Sequence, residues 1–152
     1  MGRVTIDVVE VSAQIVAAIP RGNIRVPREE FAALWRAAEA FHDERVRDRV
    51  GDWYGAGVVM TCRWLARTTV RPPDGRPYLA FSPVTERDAL AIEELIQAEL
   101  LAAEKMALRR PIPARVLNRP GWLDAVIAAL NWAWLGRGEP PVPFEHRTVS
   151  AG

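Results

Sequence analysis

Apolar positions recur at helical spacing in four stretches of this chain, and each stretch carries its own start and stop chemistry. In residues 27–47, Phe31, Leu34, Trp35, Ala38 and Phe41 fall on one face, while Glu29, Arg36, Glu39 and Asp43 take the other, which predicts one face in the core and one in water. Pro27 suits a first helical position, and Glu29 and Glu30 complement the helix dipole in the first turn. From Asp52, an N-cap, residues 52–68 are apolar on nearly every side, so this helix is expected to be central. Gly55 and Gly57 each cost about 1 kcal/mol against alanine inside a helix, which implies a neighbouring backbone packed close to that turn. The prolines of VRPPDGRPY then end it in a loop.

The third stretch, residues 85–109, is predicted to start at Thr85 as a cap, with Glu86 and Asp88 following and Lys105, Arg109 and Arg110 closing it. Ile92, Leu95, Ile96, Ala102, Ala103 and Met106 form its apolar arc, and Glu93, Glu94, Gln97 and Glu104 lie away from it. Leu90, Leu101 and Leu108 make a second, thinner stripe on the polar side, and Glu99 interrupts the apolar arc. The fourth stretch, residues 121–135, buries Trp122, Val126, Ala129, Leu130 and Ala133, leaves Asp124 and Asn131 as a narrow polar stripe, and stops at Gly136. Residues 137–152 are rich in Pro and Gly and hold little to bury beyond Val142 and Phe144, so they read as an extended tail on a domain of residues 1–136.

Residues 4–19 are ambiguous: Val4, Val8, Val11, Ile15 and Ile19 share a helical face, whereas the β-branched VTIDVVEV favours a strand. The helix is preferred, and the expected fold is an all-α compact bundle of four or five helices. A hairpin through PRGN is the alternative, giving α+β with a small N-terminal β-ribbon.

With 152 residues, 49% of them apolar, one domain is expected to bury a sizeable core without a metal or disulfide staple. Its formal charge of +1 excludes the global field of a polybasic protein, so polyanion binding would have to be local. Cys62 has no second cysteine, and with His42 and His146 it is too few for a Cys/His zinc site, so no metal or other cofactor is expected and a reducing cytoplasm is the natural compartment. Asp7 and Glu10 break the N-terminal apolar run, and the uncharged stretches 53–62 and 125–136 fall short of the ~20 residues that span a bilayer, so no membrane association is expected. Lys105 is the one lysine among the basic residues, a bias toward arginine expected from a GC-rich genome.

No phosphate loop, dinucleotide fingerprint, zinc-protease or nucleophile-elbow motif occurs. Cys62 lies in a nearly all-apolar helix, where a thiol is ordinarily inert even with His42 available as a base. Arg63 and Glu99 each intrude into an apolar face, which predicts a buried ion pair between them, with Arg67 as the other candidate for Glu99; with Thr61 they could instead line a polar pocket. Lys105, Arg109, Arg110, Arg115 and Arg119 run without an acid, as do Arg63, Arg67 and Arg71, and if the loops converged Arg67, Arg71, Arg109, Arg110, Arg115 and Arg119 could contact phosphates.

Six tryptophans exceed what one compact face uses. Trp53, Trp64, Trp132 and Trp134, with Leu90, Leu101, Leu108 and Phe144, are therefore candidates for an interaction surface.

Residues DWYGAGVVMTCRWLA resemble the D-W-Y…T-C-R-W-L-A core of a group of small helical proteins from GC-rich bacteria, which also carry a later R-P-G-W…W-A-W segment. Asp52, Trp53, Tyr54 and Thr61 to Ala66 match the first segment, and Arg119 to Trp122 with Trp132, Ala133 and Trp134 match the second. The resemblance spans most of residues 28–143, implies a bacterial cytoplasmic setting and implies no activity. By elimination, the expected function is a non-enzymatic interaction protein or accessory subunit, with a protein partner or a second copy. The alternatives are a nucleic-acid-associated regulatory or defence component and a small ligand-binding domain or enzyme centred on Glu99 and Arg63.

Overall fold

The structure, a computed structural model, describes residues 9–145. It is mainly α: α1 (Ala13–Ala17), a 3₁₀ turn (Arg21–Asn23), α2 (Arg28–Arg47), α3 (Tyr54–Leu65), strands β1 (Thr69–Val70) and β2 (Tyr78–Leu79), α4 (Glu93–Leu108), α5 (Ala114–Leu117) and α6 (Trp122–Ala133). Val4 and Val8 of the ambiguous N-terminal stretch, and residues 146–152 of the tail, lie outside the described residues.

α3 lies between α2 and α6, and α4 packs on α6. Its near-continuous apolar surface demands this position, and Val58, Val59, Cys62, Trp64 and Leu65 are all buried. The glycines make the contact with α6 possible: a Cβ on Gly57 would stand 2.6 Å from the Trp122 carbonyl oxygen and 2.8 Å from Ala125 Cβ. Gly55 has the ring of Phe41 and the Cα of His42 over it in the same way, at 2.9 and 3.3 Å. The close backbone approach expected at these glycines is therefore present on two sides of α3. Asp52 Oδ1 accepts from Tyr54 N at 2.7 Å, two residues along rather than deeper in the first turn.

At the N-terminal end the helical preference survives only as five residues, with the Ser12 side chain accepting from Ile15 N. Among the described residues there is no N-terminal ribbon: PRGN forms the 3₁₀ turn, and the single antiparallel strand pair flanks the PPDG loop, with Thr69 opposite Leu79 and Val70 opposite Tyr78.

The third predicted helix begins eight residues late. Residues 83–85 form a turn, Glu86 adopts a left-handed φ of 55°, and α4 starts only at Glu93. Thr85 is consequently no helix cap. Between α4 and α6 the proline-rich stretch PIPARVLNRP holds α5, a helix of four residues. Gly136 does stop α6, at φ 63°. Beyond it, Val142 is 4% exposed and the Phe144 ring meets Trp132 edge-on at 5.9 Å, so the described part of the tail lies against α6.

Candidate functional site

Arg63 and Glu99 do not pair. Arg63 forms a two-pronged bond to Glu39, Nε to Oε2 at 2.9 Å and Nη2 to Oε1 at 2.7 Å, with the two side chains only 11% and 13% exposed. Trp35 Nε1 also donates to Glu39 Oε2, at 2.9 Å. Glu39 follows Trp35 by four residues on α2, so the indole and the carboxylate share one edge of that helix. The edge faces α3, where Arg63 emerges from the last turn. Planar guanidinium and carboxylate groups fit each other through two parallel bonds, which makes this a tight cross-brace between α2 and α3.

His42 lies half-buried one turn further along α2. Burial holds its pKa below the ordinary 6.5, with the Arg63 charge adding to the effect and Glu39 and Asp43 partly opposing it. Cys62 is 1% exposed, and burial pushes its thiol far up, so it stays protonated and unreactive.

Glu99, 2% exposed, holds the turn that replaced the first part of the predicted helix. Its Oε1 accepts from Val84 N at 2.6 Å and Thr85 N at 2.7 Å, and its Oε2 from Thr85 Oγ1 at 2.7 Å. A carboxylate buried without a cation is tolerable when several donors converge on it, and this one has three. Ser82 continues the arrangement, its hydroxyl 2.8 Å from Thr85 Oγ1 and accepting from Arg87 N at 2.8 Å. The adjoining cavity measures about 90 Å³ and is walled by Trp64, Ala98 and Ala102 besides these polar groups, room for a few waters. Thr61 is elsewhere: it is fully buried and its hydroxyl donates to the Gly57 carbonyl of its own helix at 2.8 Å. The constellation of Arg63, Glu99 and Thr61 is thus taken apart.

Asn23 gave no warning in the sequence. Its buried Nδ2 donates to Leu65 O at 2.8 Å and Ala91 O at 3.0 Å, tying the end of α3 to the entry of α4. Arg67, at a left-handed φ of 54°, adds a bond from Nε to the same Ala91 carbonyl at 2.9 Å. Arg115 donates to the carbonyls of Pro83 and Val84 and to Glu86. These two arginines therefore hold loops together. Arg119 lies over the rings of Trp53 and Trp122, at 4.9 and 5.4 Å, and Arg115 stacks on Trp122 at 4.6 Å. Arg110 bonds the carbonyls of Ala107 and Arg109, and Arg71 and Arg109 are exposed on different loops.

The tryptophans are mostly core. Trp64, Trp132 and Trp134 are at most 6% exposed, which removes them from the expected interaction surface, and Trp53 is half-buried. Leu90, Leu101 and Leu108 remain exposed at 47, 45 and 79%, although Leu90 precedes α4 and so shares no helical stripe with the other two. Among the described residues no cluster of three or more His, Cys, Asp or Glu could hold a metal, and no helix is long and apolar enough to cross a membrane. No protein-family model matches the chain, and no curated protein or solved structure does.

Proposed function

We propose that the protein is a non-enzymatic interaction protein, an accessory subunit of a bacterial cytoplasmic assembly, in which a compact helical bundle presents the outer face of α4. The observation that carries this reading is the exposure of Leu101 and Leu108 on a helix whose opposite side, at Ile96, Leu100 and Ala103, is already buried. Apolar side chains that lie together on one exposed helix face are the kind of surface a partner covers. The polar groups that looked chemical, Glu39 with Arg63 and Glu99 with its turn, already have their hydrogen-bonding partners inside the fold.

The test uses the tagged full chain and its Leu101→Asp variant. A protein that co-purifies with the wild type, binds it again when both are pure, and is released by Leu101→Asp supports the reading. Binding that the substitution leaves unchanged contradicts it. A second reading, contact with nucleic-acid phosphates, draws on the exposed neighbours Lys105, Arg109 and Arg110 at the C-terminal end of α4. It requires binding to DNA or RNA that falls steeply with salt.

A further inference from the structure

Exposed residues form a seam along α4. Glu94, Ala98, Leu101, Lys105 and Leu108 are all exposed, and about 100° per residue sets them within roughly 60° of Leu101. The seam is apolar along its centre at Ala98 and Leu101, with exposed Gln97 beside them, and its ends differ in net charge: acidic at Glu93 and Glu94, and basic on balance where Lys105, Arg109 and Arg110 outweigh the exposed Glu104. Leu90 and Ile92, 47 and 42% exposed, prolong the apolar surface before the helix begins. Among the described residues, neither Glu94 nor Lys105 forms an ion pair within the chain.

We propose that the occupant of this seam is a second copy of the chain, with the two α4 helices antiparallel about a two-fold axis; this deepens the interaction reading and rests on it. A two-fold contact uses one patch against itself, so the patch must be self-complementary. Reversal of direction supplies that complementarity by bringing each acidic end against a basic one. A parallel pair would instead set Glu94 against Glu94 and Lys105 against Lys105, which like-charge repulsion disfavours. An acidic peptide would match one end of the seam and oppose the other, and a polyanion would do the same.

The register follows from side-chain size. With the axis between residues 99 and 100, Leu101 of each copy covers the small Ala98 of the other, a knob over a gap that lets the helices approach closely. Glu94 then faces Lys105 twice, once on each side of the axis. Leu108 reaches the exposed segment of Leu90 and Ile92. The helix has 16 residues, about 24 Å of length, so the contact is short and dimerisation is measured at concentrations up to hundreds of micromolar.

Charge exchange tests the direction and the register together. In sedimentation equilibrium at low ionic strength, Glu94→Lys and Lys105→Glu each weaken dimerisation about tenfold, because each leaves like charges at both ends. Mixed in equal amounts, the two variants associate at least as tightly as the wild type, since every Lys now faces a Glu. Both substitutions are at exposed positions, and circular-dichroism melting verifies that both variants remain folded. A wild type that stays monomeric at hundreds of micromolar overturns the proposal, as does a mixture that associates no better than either variant alone. A monomeric wild type that still binds a purified partner through Leu101 overturns self-pairing while leaving the interaction reading intact.

Discussion

Glu39 and Arg63 join α2 to α3 through two hydrogen bonds of 2.7 and 2.9 Å, at a place where both side chains are almost withdrawn from water. Removing one partner of such a pair strands the other. Arg63→Met is therefore expected to destabilise the fold by about 3 kcal/mol, and adding Glu39→Leu to recover much of that loss. A double-mutant cycle in urea checks it. Arg63→Met combined with Glu99→Ala should instead be additive, because those two side chains have separate partners.

Glu99 stabilises the turn at residues 83–85 more than it stabilises α4. Glu99→Ala leaves the amides of Val84 and Thr85 and the Thr85 hydroxyl without their acceptor, at a cost of about 3 kcal/mol or more. Thr85→Val removes one of the three bonds and should cost about 1 kcal/mol. Amide hydrogen exchange at Val84 and Thr85 should accelerate in Glu99→Ala well beyond the rest of the chain.

Gly57→Ala is expected to cost about 3 kcal/mol, since the new methyl group meets the Trp122 carbonyl, which belongs to the backbone of α6 and cannot swing away. Gly51→Ala has nothing within 4 Å and serves as the matched control, neutral or slightly stabilising. Thermal melts of the two variants measure the difference.

The division between what the sequence revealed and what it concealed has a physical basis. α2 and α6 were legible because burial imposes a helical period on their apolar residues, and α3 because it is apolar on nearly every side, with glycines that foretold the close approach of a neighbour. The start of α4 was misread because Thr85, Glu86 and Asp88 imitate a capped first turn, whereas the turn is held by Glu99, fourteen residues from Thr85. Arg63 and Glu99 were correctly marked as charges in apolar surroundings. Their partners were not, because periodicity ranks the faces of one helix and says nothing about which face of another it meets. Glu39 was assigned to water, yet its place one turn after the buried Trp35 was the available signal. Asn23 offered no pattern at all, since a single polar residue in a turn reads as solvated until its carbonyl partners are known.

The half-buried His42 makes stability depend on pH. Its folded pKa lies below 6.5, so as pH falls through that value the unfolded chain takes up a proton that the folded protein resists. The contribution is fully present above 6.5 and is lost as pH drops toward the folded pKa. Urea midpoints measured from about pH 7.5 down to about pH 5.5 should decline, and His42→Gln should flatten that decline.

The outer face of α4 is held above to pair with a second copy of the chain. Sedimentation equilibrium of the full chain beside Leu101→Asp, at concentrations up to hundreds of micromolar, tests this most directly. The account predicts a wild-type mass rising with concentration above 17.0 kDa toward twice that value, and a variant that remains at 17.0 kDa with an unchanged melting temperature. Identical mass profiles for the two proteins would contradict it.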